Sequence, residues 1–213
     1  MPKRVTIVDY GIGNIFSVTR AFQHCGAEVL LTDNPRDILE ASSLVLPGVG
    51  AFSNGMDGLR QRSLIDPLQE YAASGRPMLG ICLGMQMLFS ESTEFGIHAG
   101  LNIIEGTIHP IHSQVIEGKH LKVPHIGWGV LQSAEEASWD NTILNRLDIG
   151  DSCYFVHSFM AVPDNPKYRL ADTKYGSVNI CATVAKGNIY GCQFHPEKSG
   201  LVGLNIIRGF LEI

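Results

Sequence analysis

The sequence is short of several things, and each shortage excludes a class of protein. Among 213 residues there are five cysteines, Cys25, Cys82, Cys153, Cys181 and Cys192, an odd number with no Cys-x-x-Cys pair. That is not a disulfide framework; it fits free thiols in a reducing compartment, so a cytoplasmic protein is expected. No apolar run is long enough to span a bilayer. Met1-Pro-Lys-Arg4 leads into too few apolar residues for a secretion signal, so no membrane role is expected. Basic runs are missing too. Lys119 and Lys122 make no patch, and the formal net charge is −5, which argues against a nucleic-acid partner. His109, His112, His120 and His125 lack the spacing of a zinc site, and no cysteine joins them. Asp9-Tyr-Gly-Ile-Gly-Asn-Ile-Phe16 lacks the third glycine of a dinucleotide fingerprint, its place being taken by Phe16. Neither a metal nor a cofactor is expected. Repeats and low-complexity segments are absent.

What is there is an apolar fraction of 45%, enough for a sizeable core. Strands over Val5–Asp9, Glu28–Leu31, Ser43–Leu46 and Met78–Ile81 alternate with helices over Ile15–Cys25, around Ile38, at Met56–Leu59 and Leu64–Ala73, and over Leu83–Phe89. That alternation predicts an α/β fold with a doubly wound, mostly parallel central sheet. After Glu91 the pattern changes. Strands are expected over Ile103–Ile108, Gly129–Gln132, Cys153–His157, Tyr168–Thr173, Ile180–Ala185 and Ile189–Phe194, with one helix between them at Thr142–Leu147. Lys186-Gly-Asn188 reads as a hairpin turn, so this C-terminal part is antiparallel. A last helix runs from about Leu201 to Leu211, and residues 1–213 are expected to form one domain.

The chemistry concentrates at Gly80-Ile-Cys82-Leu-Gly84. This is the thiol counterpart of the G-x-S-x-G nucleophile elbow, where a sharp strand-to-helix turn exposes the nucleophile and glycines relieve the crowding. Such a turn puts Cys82 at a helix N-terminus, which favours thiolate. Gln86 is one helical turn on, on the same face. A nucleophilic thiol needs a base, and among eight histidines His195 has the setting for one, in Gln193-Phe-His-Pro-Glu197. It follows a strand, so it belongs at the edge where Cys82 projects. Glu197 is placed to accept the Nδ1 hydrogen and leave Nε2 for the thiol. Pro47-Gly-Val-Gly50 ends another strand of the same sheet. The N–H groups of Val49 and Leu83 are candidate oxyanion donors.

Gly80-Ile-Cys-Leu-Gly-Met-Gln86 together with His195-Pro-Glu197 resembles the class I, triad-type glutamine amidotransferases, and the likeness extends along essentially the whole chain. Asp9–Asn14, Pro47–Phe52, Val123-Pro-His-Ile-Gly-Trp128, Tyr154-Phe-Val-His-Ser-Phe159 and Gln193–Ser199 point to the branch that serves histidine biosynthesis. The resemblance implies a flavodoxin-like fold, L-glutamine as substrate, and Cys82 as nucleophile with His195 as base and acid and Glu197 as its orienter. It implies that Gly50, Gln86, Ser158 and Phe159 hold the glutamine. Asn14, Trp128, Tyr154 and Lys198 would face a cyclase subunit with a (β/α)8 barrel, which receives the ammonia in a heterodimer. The sequence departs from the family in two places: Cys192 stands where a larger apolar residue is usual, and Gly129 where asparagine is usual. The glycine removes a hydrogen-bonding side chain expected near the interface, so a paralogous synthase for surface-sugar amidation is a second expectation. An inactive regulatory binding protein of the same fold and a stand-alone cysteine hydrolase are others.

Overall fold

A computed structural model describes residues 3–113, 115–116, 119–135 and 137–213; the side chains of Val115, Ile116, Lys119 and His120 lie outside what it describes. In chain order the elements are β1 (Arg4–Val8), α1 (Ile15–His24), β2 (Glu28–Thr32), α2 (Pro35–Glu40), β3 (Leu44–Gly48), α3 (Phe52–Gln61), α4 (Ile65–Ala73), β4 (Met78–Cys82) and α5 (Leu83–Met87). Then come β5 (Phe89–Ser92), β6 (His98–Ala99), β7 (Ile104–Pro110), β8 (Val115–Ile116), β9 (Lys119–His120), β10 (His125–Ser133), β11 (Ser152–His157), β12 (Phe159–Pro163), β13 (Arg169–Tyr175), β14 (Val178–Lys186), β15 (Ile189–Cys192) and α6 (Gly200–Glu212).

Nine strands form the central sheet in the order β11-β10-β13-β14-β15-β4-β3-β1-β2. From β15 to β2 all neighbours run parallel. From β11 to β15 they run antiparallel, and Lys186 pairs with Ile189 across the expected hairpin. The parallel half is apolar on both faces, as helices on both sides require. In β3, Leu44 and Leu46 pack with Phe52, Leu68 and Met85 on one side. Val45 between them packs with Phe22, Ile206 and Phe210 on the other. Thus α1 and α6 cover one face, where Phe22 meets Phe210 edge-on at 6.2 Å, and α2 to α5 cover the opposite one. No helix among the described residues is long and apolar enough to cross a membrane.

Three departures from the sequence reading have local causes. The helix after Cys82 stops at Met87 rather than Phe89, and β5 begins there. The carbonyls of Met87 and Leu88 accept from Leu101 and from Ile103 and Ile104, so the returning chain takes the bonds that would have extended the helix. Gly100 lets that chain close in, since a Cβ there would overlap the Phe89 carbonyl. This return builds a second sheet, β12-β7-β5-β6, of which only β7 was legible. At 142–147 there is no helix but a run of turns. The Thr142 hydroxyl donates to Trp139 O and accepts from Leu144 N, competing with the backbone ladder. Finally, β15 ends at Cys192, two residues before Phe194.

Candidate active site

The carboxyl ends of β3, β4 and β15 converge. Cys82 closes β4 with φ 54° and ψ −110°, a left-handed backbone that a residue with a Cβ avoids. Its neighbours make the bend possible. A Cβ at Gly84 would overlap the Leu46 carbonyl, and one at Gly80 would lie 2.7 Å from Met85 N. The helix that follows begins at Leu83, so Cys82 stands at its N-cap, and only 7% of the residue is exposed.

His195 follows β15, is 2% exposed, and donates from Nδ1 to Glu197 Oε1 at 2.8 Å; the Glu197 side chain is 1% exposed. This bond commits Nδ1 and fixes the ring orientation, leaving Nε2 as the atom that exchanges a proton. Nε2 is buried and forms no hydrogen bond among the described residues. The Cys82 sulfur is close enough to act on the ring, though not in the geometry of a completed bond. Burial alone would lower the His195 pKa. The Cys82 sulfur and the Glu197 carboxylate outweigh it and hold the pKa at about 9. Ser199 steadies the turn, its hydroxyl donating to His195 O at 2.7 Å and accepting from Tyr154 N at 3.0 Å.

One cavity of about 550 Å³ brings together Val49, Gly50, Cys82, Leu83, Gln86, Ser158, Phe159 and His195. Glu197 stands behind His195. Asn14, Trp128, Tyr154 and Lys198 do not line it. Trp128, 61% exposed, lies edge-on to Tyr154 at 6.1 Å on the outer face of β10 and β11, beside exposed Ile126 and Val130. Gly129 is the reverse of what the sequence implied. It points inward, where a Cβ would sit 2.6 Å from Thr173 Oγ1 and 2.9 Å from the Phe155 ring. A side chain here would enter the core face, so its loss takes nothing from the outer face.

The ladder fixes the resting direction of the Gly48–Val49 peptide. Leu44 N donates to Pro77 O, and the β3–β4 register runs from Leu44 opposite Met78 to Gly48 opposite Cys82. In a parallel pair alternate residues point both groups to the same neighbour. Gly48, in phase with Leu44, therefore turns its carbonyl toward the Leu83 N–H. The Val49 N–H, on the far side of that planar peptide, points away from β4.

Several residues at the cavity were not found from sequence. Gln193, fully buried, accepts from Gln86 Nε2 at 2.9 Å and approaches the Cys82 sulfur with Nε2 at 3.8 Å. Gln86 also donates to Phe159 O at 3.3 Å. Glu94 is 8% exposed, lines the cavity, and takes the Phe52 N–H on Oε2 at 2.6 Å, leaving Oε1 available. His157 donates from Nδ1 to Phe159 O at 2.8 Å and accepts on Nε2 from His125 Nδ1 at 3.2 Å. Burial lowers both histidines to about 4, so the pair is neutral. The polar glutamine inside the apolar run Tyr190–Phe194 was the one available signal; Glu94 and His157 carried none.

The glutamine amidotransferase class-I family model matches residues 6–212. The chain is 55% identical over 210 residues to imidazole glycerol phosphate synthase subunit HisH 1 of Legionella pneumophila (strain Paris), covering 98% of this chain and 99% of that one. It is 45% identical over 207 residues to the HisH subunit of Syntrophotalea carbinolica, covering 97% and 98%. In fold it resembles the structure of PurLQS from Thermotoga maritima, with a TM-score of 0.71 at 20% identity over 100% of this chain and 99% of that one.

Proposed function

This chain belongs to the class-I glutamine amidotransferases, and we propose that it hydrolyses L-glutamine to glutamate and ammonia as the glutaminase subunit of an imidazole glycerol phosphate synthase. The observation that carries the chemistry is the buried Glu197–His195 pair beside a sulfur held on a left-handed bend, at the wall of one cavity.

In this reading the side chain of glutamine enters the cavity with its carboxamide at Cys82. The Cys82 thiolate, its proton held on His195 Nε2, bonds to the carboxamide carbon, and the C=O pair moves onto oxygen. His195, protonated below about pH 9, gives its Nε2 proton to the departing nitrogen. The C–N bond breaks, ammonia leaves, and a thioester to Cys82 remains. The neutral His195 then takes a proton from water, whose oxygen attacks the thioester; the C–S bond breaks, glutamate departs, and the Cys82 thiolate and protonated His195 are restored. Glu197 keeps the Nδ1 hydrogen bonded throughout, so only Nε2 gives and takes protons. Gly50, Gln86, Ser158 and Phe159 line the amino-acid end, with the spare oxygen of Glu94 suited to an ammonium group. The N–H groups of Leu83 and Val49 are the oxyanion donors, each supplying about 3 kcal/mol of barrier lowering. With the Gly48 carbonyl facing Leu83, that hole is closed at rest, so the free chain is expected to be slow until the peptide turns over.

Water would protonate and disperse the ammonia, so a second chain must seal the exit. The apolar outer face around Ile126, Trp128 and Val130, with Trp128 edge-on to Tyr154, supports docking of a cyclase subunit with a (β/α)8 barrel, and the sequence resemblance adds Asn14 and Lys198 to the expected contact. The names of the relatives, each a subunit of a synthase, support a partner subunit, and five free cysteines support a cytoplasmic setting. With Gly129 turned inward, the case for a different synthase partner loses its motive.

Replacing Cys82→Ala tests the reading. Glutamine hydrolysis, with the cyclase and its nucleotide substrate present, is expected to vanish while the thermal melt stays cooperative. Full turnover by that variant would refute the thioester route.

A further inference from the structure

Tyr10 is 1% exposed, and its buried hydroxyl has no hydrogen-bond partner among the described residues. A buried unpaired hydroxyl is costly, yet the chain goes out of its way to seat this one. Gly58 of α3 gives room to the ring, since a Cβ there would sit 3.0 Å from Tyr10 Cδ2 and 3.2 Å from Tyr10 O. Gly48 gives room to the hydroxyl, since a Cβ there would overlap Tyr10 Oη. The oxygen thus lies directly against Gly48, the residue whose carbonyl closes the oxyanion hole. Burial and the nearby Cys82 sulfur both raise the Tyr10 pKa, so it is a neutral donor throughout the working range.

Tyr10 follows β1, which pairs with β3 (Thr6 opposite Leu44, Ile7 opposite Val45), and its side chain reaches from that side to Gly48. β3 lies between β1 and β4. When the Gly48–Val49 peptide turns over, its N–H swings toward the β4 side and the cavity. Its carbonyl swings to the β1 side, where Tyr10 stands. We propose that the Tyr10 hydroxyl is a waiting donor, unpaired at rest, which captures the Gly48 carbonyl when that peptide turns over and so holds the Val49 N–H in the oxyanion hole. Tyr10 touches neither substrate nor sulfur in this scheme; it is a positioning residue acting through one peptide bond. The inference rests on the amidotransferase reading and adds to it the group that stabilises the competent arrangement.

The test is Tyr10→Phe, which removes one oxygen and keeps the ring. It is made on the full chain, alone and with its cyclase partner. The expected result is a fall of about tenfold in kcat for glutamine hydrolysis, the worth of one hydrogen bond made only in the turned-over state. KM is expected to stay within about twofold, because ground-state contacts are untouched. The melting temperature should hold or rise, since the variant sheds an unpaired buried group, and alkylation of Cys82 by a haloacetamide should keep its wild-type rate. An active wild type with an equally active Tyr10→Phe overturns the latch alone, as does a loss of kcat that merely tracks a lowered melting temperature. A wild type that neither hydrolyses glutamine nor is labelled at Cys82 by a glutamine-analogue electrophile overturns the amidotransferase reading and the latch with it.

Discussion

The pairing of His195 with Glu197 decides what the site can do at a given pH. Two opposed effects act on the imidazole. Burial disfavours its charge, while the Cys82 sulfur and the Glu197 carboxylate favour it and prevail, to about 9. A raised pKa means the proton, and the stability linked to it, is fully present below the unfolded value near 6.5 and is lost as pH rises through about 9. The same proton is the one the leaving nitrogen needs. Glutaminase kcat/KM is therefore expected to fall on an alkaline limb near pH 9. Glu197→Gln keeps an acceptor oxygen but removes the charge, so that limb should move to lower pH and kcat should fall by about 10²–10⁴, as when a triad carboxylate is made an amide. A pH–rate profile of both proteins checks this; an unmoved limb would mean that Glu197 does not govern the imidazole. Residues of this kind were legible because their chemistry demands a fixed spacing: a glycine on either side of Cys82, a carboxylate two residues past His195. Gln193 and Glu94 were not. Each reaches the cavity by a tertiary route, one from inside a buried strand end and the other through a chain return that no local pattern announced.

At the scale of elements, the parallel half of the sheet could be read from its alternating strands and helices, since each βα unit is specified over a short stretch. The β5–β7 sheet could not, because Phe89–Ser92 is a strand only once residues 100–104 arrive to take the helix's bonds. The turn carrying His195 and Glu197 depends on an element the sequence did suggest, α6. Gly203 sits where a Cβ would overlap the Pro196 carbonyl, so this helix lies directly against the turn. Gly203→Ala should push the two apart. We expect a loss of about 2 kcal/mol in stability, the cost of overpacking a tight contact. A fall in kcat of about tenfold or more should accompany it, although residue 203 does not line the cavity. Urea unfolding and steady-state kinetics on one preparation separate these effects. Lost stability with unchanged kcat would show that the turn keeps its shape without the helix.

The whole molecule is asymmetric in a way that bears on assembly. The chain closes its parallel half with helices on both faces, but leaves the outer side of β10 and β11 uncovered. The alternation there is strict: His125 and Leu131 point inward and are buried, whereas Ile126, Trp128 and Val130 point outward and are 59%, 61% and 46% exposed. Scattered apolar residues need no explanation, but three in succession on one strand face, with an indole set against Tyr154, form an exposed apolar stripe of the kind that suits the proposed docking. Aromatic anchors at the centre of such stripes carry most of the binding energy. Trp128→Ala is expected to weaken association with the cyclase by about 2 kcal/mol, roughly thirtyfold in Kd. Ile149→Ala, a truncation at a residue 68% exposed but outside the stripe, should change it by less than about twofold. Titration calorimetry with the purified cyclase distinguishes the two. Because the Trp128 face lies on the same two strands whose inner residues include His125 and His157, a partner gripping the indole bears on the wall that carries Phe159. Trp128→Ala should therefore also reduce the stimulation of glutamine hydrolysis by the cyclase measured at saturating partner. Stimulation that returns fully to wild-type once the partner is saturating would confine Trp128 to docking and leave activation to another contact.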